Sequence, residues 1–235
     1  RIKYVAEAWD LWPENFIKFG LISERNILIP IARLVERYMY SKAESIVFTF
    51  AGGKKYLVDR GYTTKKFFSI STNNVYYVNN GIDLNAFRSN LNNEMTVDLD
   101  LDSNEHKKII YVGALNMLNN IKELIQAGEL LRNRDDILIL IYGDGDYRAE
   151  LIEYCTKNNL TNVRFKDKRV KFNKIPYILS KGHVNVLTYT KGFGDFGSSS
   201  GKLFLYLASG KPVCSNIRFN HCLISENGLG IAKDM

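Results

Sequence analysis

The sequence has few of the residues that build metal sites and disulfides, and it has no long apolar run. Its three cysteines and three histidines show neither CxxC nor HExxH spacing, so the pattern indicates no metal site, and unpaired thiols fit a reducing compartment. The longest apolar runs, such as Ile137–Tyr142, fall well short of the about 20 residues that a membrane-spanning helix needs. No signal-peptide pattern opens the chain. We therefore expect a cytoplasmic protein that needs no metal.

Aromatic residues are plentiful: the chain has 14 Tyr and 13 Phe, which excludes a disordered protein and indicates a globular one with a real core. The net charge of +7 is uneven, because 5 acidic and no basic residues fall in the segment 90–106, between two basic blocks. Basic surfaces suit nucleic acid, anionic lipid or phosphorylated small molecules. Since no RRM, KH or helix-turn-helix signature is present, we expect no nucleic-acid partner.

Apolar strands alternate with helical patterns on both sides of the acidic spacer. This alternation, with strands that are apolar throughout, predicts parallel, doubly wound α/β sheets. The strand-to-helix loops of such a sheet share one edge, where ligands bind, and two of them begin at Gly113 and Gly143. We predict two Rossmann-like domains, residues 1–89 and residues 107–235, joined by an irregular linker at residues 90–106.

The start of the chain suggests a piece of a longer protein. Its first residue is Arg1 rather than methionine, and the segment Lys3–Glu7 already has the pattern of a strand inside a fold. We therefore expect both domains to be incomplete, the first at its beginning and the second at its end.

A loop rich in glycine and serine precedes the last long helix. It contains Gly192, Gly194, Gly197, Ser198, Ser199, Ser200 and Gly201. Ser199 or Ser200 can cap the helix, whose first N–H groups face whatever lies in front of them. Lys202 falls in the first turn, where a cation opposes the helix dipole at a cost of roughly 0.3–1 kcal/mol. This cost is explained if Lys202 and the N–H groups share an anion such as a diphosphate; the alternative is a solvated lysine. Either way, we expect Lys202 to have no buried partner when the site is empty.

The remaining loops carry weaker signals. The loop after Gly113 (GALNMLNN) lacks the GxGxxG and GxxxxGK[ST] spacings, so neither a dinucleotide fingerprint nor a P-loop is indicated there. The segment Gly143-Asp144-Gly145 fits a simple turn. Asp144 and Asp146 come nearest to a metal-binding Asp-x-Asp pattern.

Several segments together resemble family 4 glycosyltransferases, which are retaining nucleotide-sugar enzymes with the GT-B fold. The segment YYVNNGIDLNAF resembles the end of that family's first domain, and EAWDLWPENF resembles an earlier part of it. IIYVGALN, LIYGDGDYRAEL and NLTNVRFKDKRV resemble strands and loops of its donor domain. FGSSSGKLFLYLASGKPV resembles a variant found in bacterial capsule and O-antigen transferases. The segments follow the family's order over nearly the whole chain.

The resemblance implies transfer of a sugar from a nucleotide diphosphate sugar to a glycan or lipid-linked glycan acceptor, with retention and without metal or cofactor. It implies the following roles: diphosphate binding for Gly113, Ser199, Ser200, Gly201 and Lys202; nucleotide binding for Gly143, Arg169 and Val170; and catalysis for Asp10. Aromatic residues near the start of the chain fit contact with the inner face of a membrane and core packing equally well.

Four positions depart from the family's pattern. Ala114 replaces an arginine that many members place on the diphosphate, and Asn119 stands near where they have a lysine. Leu205 replaces a ribose-binding glutamate, and Trp9 stands where many members have a histidine. These departures leave open an alternative function, a catalytically inactive GT-B-like subunit that binds or scaffolds.

Overall fold

The computed structural model describes residues 2–64, 67–191 and 194–234. Its strands form two separate parallel sheets. The chain divides into two compact units, of which the first runs to Asn80 and takes in Lys191–Ser199 and Phe219–Cys222. The second unit comprises Gly81–Thr190, Ser200–Arg218 and the residues from Leu223 onward. The α/β class with parallel sheets is therefore confirmed, while the predicted domain boundaries stay a prediction.

The first unit contains a three-stranded sheet in the order β1-β2-β3. Its elements are β1 (Val5–Ala8), α1 (Glu14–Lys18), α2 (Leu28–Lys42), β2 (Ser45–Phe48), α3 (Gly53–Asp59) and β3 (Val75–Tyr77). A core of aliphatic and aromatic side chains covers the sheet, with Phe48, Tyr56 and Leu57 fully buried. Burial of such side chains contributes about 1.5–3 kcal/mol each, so this small sheet has a real core.

The second unit contains a six-stranded sheet in the order β6-β5-β4-β7-β8-β9. Its elements are α4 (Leu84–Asn93), α5 (Leu99–Asp102), β4 (Lys107–Val112), α6 (Ile121–Leu130), β5 (Ile137–Tyr142), α7 (Arg148–Lys157), β6 (Val163–Phe165), α8 (Ile175–Lys181), β7 (Val184–Leu187), α9 (Gly201–Ala208), β8 (Val213–Ser215), α10 (Leu223–Glu226) and β9 (Gly230–Ala232). The central strands are buried on both faces, as their apolar sequences predict.

The acidic spacer is not irregular. Helix α4 runs into it and helix α5 lies within it, because aspartate side chains satisfy the free N–H groups at both helix starts. Asp83 accepts hydrogen bonds from the N–H groups of Asn85 and Ala86, and Asp98 accepts from those of Asp100 and Leu101. The spacer is also fixed to the second unit: Leu101 is fully buried, and Asp98 forms an ion pair with Lys166.

No helix in the described part of the chain is both long and apolar enough to cross a bilayer.

Candidate functional site

The carboxyl edge of the second sheet brings three loops together. Val112 at the end of β4 pairs with Tyr142 at the end of β5. The Gly113 N–H donates a hydrogen bond to the Tyr142 carbonyl (3.0 Å), and the Gly143 N–H donates to the Asp167 carbonyl (3.0 Å). The loops after β4, β5 and β6 are therefore linked through their backbones at one edge.

Two glycines allow these loops to pack closely. Gly143 has φ +138°, and a Cβ there would lie 1.9 Å from the Gly113 carbonyl oxygen. A Cβ at Gly113 would lie 3.0 Å from Cδ of Lys202, so the lysine stem rests against this glycine. Gly143 thus permits loop packing in this structure, and its contact with a nucleotide stays a prediction.

Lys202 occupies the first turn of α9 and is half-buried. Its ammonium donates hydrogen bonds to Oδ1 of Asn119 and to Oη of Tyr111, the latter at 3.4 Å. The ammonium also lies 5.3 Å from the ring centre of Tyr111 and 5.1 Å from that of Tyr189, within cation–π range. The expectation that Lys202 has no partner in the empty site is therefore wrong, since neutral groups hold it.

The charge of Lys202 is not compensated by the protein. Among the residues that the structure describes, no carboxylate forms an ion pair with it. Burial lowers the pKa of the Lys202 amine to about 8, because it removes hydration that favours the charged form. An anionic ligand would supply the missing countercharge.

The start of α9 adds further donors to this position. Ser200 is the N-cap residue, but its side chain makes no capping hydrogen bond. The N–H groups of Gly201 and Lys202 meet no acceptor within residues 2–64, 67–191 and 194–234. Free N–H groups at a helix start favour negative charge, as the ammonium does. Lys202 thus lies against Gly113, and Ser200 and Gly201 precede it at the same helix start.

Asn119 is buried between this lysine and the loop after β4. Its Nδ2 donates hydrogen bonds to the Ala114 carbonyl and to Oδ1 of Asn116, both at 2.9 Å. Its backbone carbonyl accepts a hydrogen bond from the Thr188 hydroxyl. The family's pattern marks Asn119 as the loss of a basic residue, and nothing in the sequence indicated its contact with Lys202.

Ser199 belongs to the first unit instead. Its hydroxyl accepts a hydrogen bond from the Asn80 N–H (2.9 Å) and donates to Oδ1 of Asn79 (2.5 Å). A hydroxyl has one hydrogen to donate, and the bond to Asn79 uses it. Gly192 of the predicted glycine loop lies outside the described residues.

The loop after β6 carries two of the predicted nucleotide-binding residues. Arg169 is exposed, and its guanidinium has no hydrogen-bond partner in the described part of the chain, while Val170 is half-buried. The sequence missed the buried Arg148, which joins this loop to its neighbour. Its guanidinium donates to the Gly143 carbonyl (2.6 Å) and to the Lys166 carbonyl (2.7 Å). In the sequence, the sole indication of this role was the position of Arg148, a cation, in the first turn of a helix.

Asp10 lies in the first unit, two residues after the end of β1, and is exposed. Its Oδ1 accepts a hydrogen bond from Nδ2 of Asn15 (3.2 Å). The described residues include no group of three or more His, Cys, Asp or Glu side chains arranged to hold a metal ion.

Comparison with known proteins places these features in context. Residues 106–234 match the family model for glycosyl transferases group 1. No curated protein sequence matches the chain significantly.

Solved structures match most of the chain at low identity. Anabaena HepE in complex with UDP and glucose has a TM-score of 0.62 and 17% identity, over 91% of this chain and 52% of that one. WaaG, a glycosyltransferase involved in lipopolysaccharide biosynthesis, has a TM-score of 0.64 and 14% identity, over 97% and 60%. The pneumococcal O-GlcNAc transferase GtfA in complex with UDP and GlcNAc has a TM-score of 0.58 and 15% identity, over 86% and 35%. The predicted GT-B fold is confirmed, and the chain spans about half the length of HepE.

Proposed function

The chain belongs to the glycosyl transferases group 1 family, and we propose that it serves the transfer of a sugar from a nucleotide diphosphate sugar to a glycan or lipid-linked glycan. The observation that carries this proposal is Lys202. Among the described residues, this half-buried ammonium has no carboxylate partner, and the first N–H groups of the helix where it stands have no acceptor. The complexes of HepE and GtfA contain UDP, which is consistent with a nucleotide donor.

The proposed chemistry follows from where negative charge develops. When the bond from the sugar to the diphosphate breaks, charge accumulates on the phosphate oxygens. Lys202 and the N–H groups of Gly201 and Lys202 would stabilise that charge, and preorganised donors of this kind are effective because they need no rearrangement. Gly113 would let the phosphates approach the backbone. In this proposal these groups neutralise the leaving group without a metal ion.

The finer features of the proposal rest on the family resemblance. They are retention of configuration, recognition of the nucleotide by Gly143, Arg169 and Val170, and a catalytic or acceptor-orienting role for Asp10. A phosphate contact from Ser199 is also proposed, for which its hydroxyl would exchange the Asn79 acceptor for a phosphate oxygen. A role in capsule or O-antigen synthesis is supported by the likeness to WaaG, which acts in lipopolysaccharide biosynthesis. We propose a cytoplasmic location, at or near the inner face of the membrane.

A second candidate function is a catalytically inactive binding subunit. Ala114 brings no charge to the site, and both amide hydrogens of Asn119 are donated to the protein itself. Leu205 of α9 offers no carboxylate to a ribose. Since these three positions supply no charged contact to the ligand, most of the electrostatic stabilisation of a bound diphosphate would come from Lys202.

The test is calorimetric titration of UDP into the wild type, Lys202→Ala and Lys211→Ala. Lys211 follows the far end of α9, so its replacement removes the same charge away from the site. We expect Lys202→Ala to weaken binding by about 1.5–3 kcal/mol, the range for a charged hydrogen bond, and Lys211→Ala to bind like the wild type. Equal affinities for all three proteins would exclude Lys202 from the site. Release of UDP from a UDP-sugar by the wild type would exclude the inactive subunit.

A further inference from the structure

Asn119 and Lys202 meet although they are 83 positions apart in the sequence. We propose that Asn119 is a positioning residue, which holds the Lys202 ammonium through a neutral oxygen and so leaves its charge to be balanced by a bound diphosphate. This inference rests on the proposed function, because it concerns how the same site is kept ready for its ligand.

The orientation of the Asn119 amide is determined by its other contacts. Both hydrogens of Nδ2 are used, on the Ala114 carbonyl and on Oδ1 of Asn116. The Asn119 backbone N–H donates to the same Asn116 oxygen at 3.1 Å. A reversed amide would lose these two Nδ2 bonds and place an NH₂ group against the ammonium. Oδ1 of Asn119 must therefore face Lys202.

Every group that contacts the ammonium is neutral. Tyr111 lies in β4, Tyr189 follows β7, and Asn119 ends the short 3₁₀ turn Met117–Asn119. Burial raises the pKa of Tyr189 to about 12 and that of Tyr111 further, so both phenols stay protonated at neutral pH. No acidic group and no second cation contacts Lys202 in the described part of the chain, and burial alone lowers its pKa to about 8.

Because the Asn119 oxygen that holds Lys202 is neutral, ligand binding should be accompanied by proton uptake. A diphosphate beside the ammonium favours its charged form and so raises the Lys202 pKa. With the pKa of the empty site near 8, binding at pH 8 should take up about half a proton. An aspartate at position 119 would already keep the amine charged, so proton uptake would disappear and the carboxylate would compete with the diphosphate.

The experiment compares Asn119→Asp with Asn116→Asp, using UDP as the probe. Asn116 is the matched control: it lies in the same loop, receives the same added charge, and contacts Asn119 rather than Lys202 in the described part of the chain. As an N-cap acceptor it tolerates aspartate. UDP is titrated calorimetrically at pH 8 in two buffers of different ionisation enthalpy, which yields the number of protons taken up.

We expect wild type and Asn116→Asp to take up about half a proton. Asn119→Asp should take up almost none and should bind UDP about tenfold or more weakly, the effect of one pKa unit of interaction. Wild-type binding without proton uptake at pH 8 overturns the inference, and this measurement needs no variant to fold. Identical affinity and uptake in the two aspartate variants also overturns it.

The two proposals fail in different ways. If Lys202→Ala binds UDP as tightly as the wild type, the proposed function fails. If Lys202→Ala weakens binding but Asn119→Asp behaves like Asn116→Asp, the proposed function stands and only the positioning role of Asn119 is lost.

Discussion

Glu36 in the first unit and Lys202 in the second are both held by neutral hydrogen-bond partners, but Glu36 lies inside a helix, whereas Lys202 lies at the start of one. In the first unit, the buried Glu36 carboxylate accepts hydrogen bonds from the hydroxyls of Tyr56 (2.8 Å) and Tyr62 (2.9 Å). In the second unit, Lys202 has only neutral partners and no carboxylate among the described residues.

The other buried acid of the first unit is paired with cations instead. Glu14 is 3% exposed, and its carboxylate pairs with Arg33 (2.8 Å) and with Arg60. Removing charge from water costs several kcal/mol per ion unless partners replace the lost hydration. Glu14 thus receives its countercharge from the protein. Lys202 has no countercharge among the described residues and also lies beside free N–H groups at a helix start, and this combination favours an anionic ligand.

The largest effect on stability is expected from breaking the ion pairs of Glu14 with Arg33 and Arg60. Glu14→Ala leaves two arginines without their shared carboxylate, so we expect a loss of about 3–5 kcal/mol of unfolding free energy. Tryptophan fluorescence in urea measures it, because both tryptophans of the chain, Trp9 and Trp12, lie in the first unit. The control is Glu24→Ala, which removes an exposed partner of Arg33 (3.3 Å) and should cost about 0–1 kcal/mol. Similar losses in both variants would show that the burial of Glu14 contributes nothing.

The next largest effect is expected from Glu36, which should make the unfolding free energy depend on pH. Burial raises the pKa of Glu36 from 4.5 to about 7, against the opposing tyrosine hydrogen bonds. Between these two values the folded protein keeps a proton that the unfolded chain releases, so wild-type stability falls as pH rises through this window. Relative to Glu36→Gln, the wild type should lose about 3 kcal/mol between pH 4 and pH 8.

Urea denaturation followed by tryptophan fluorescence at several pH values measures this difference. Glu44→Gln is the control, because Glu44 is an exposed acid of the same unit that pairs with Lys3. A constant difference between wild type and Glu36→Gln across the range would show that the carboxyl titrates normally.

Lys202 should also make the unfolding free energy depend on pH, by a smaller amount and in a more alkaline range than Glu36. Its folded pKa of about 8 lies below the ordinary 10.5, so the unfolded chain binds the extra proton between these values. Wild-type stability relative to Lys202→Met should therefore rise with pH in this window, by about 2 kcal/mol given the partial exposure of the side chain. Thermal melts followed by circular dichroism at pH 7.5 and pH 10 measure the difference, with Lys211→Met as control. Saturating UDP should reduce this pH dependence of stability. If the dependence is unchanged with UDP bound, Lys202 does not contact the ligand.

Regular elements of the second unit could be predicted well. The apolar run Ile137–Tyr142 forms strand β5, and the last long helix, which the sequence places after the glycine- and serine-rich loop, is α9 at Gly201–Ala208. Long apolar runs bounded by glycine determine such elements locally. Helix α5 could not be predicted, because a polar four-residue helix depends on its Asp98 cap and on the burial of Leu101.

The sequence by itself determined the alternation of strands and helices, the parallel sheets, and the position of Lys202 at a helix start, because all of these follow from local apolar patterns and from glycine and serine punctuation. Only the tertiary structure decided the chemical state of that lysine. Its contacts with Asn119 and Tyr111 join positions 83 and 91 residues apart, and burial, not spacing along the chain, removes its hydration. Arg148 shows the same limit, since it acts on the Lys166 carbonyl 18 residues away. Local patterns set backbone structure, whereas hydration and countercharge depend on every group that the fold brings near.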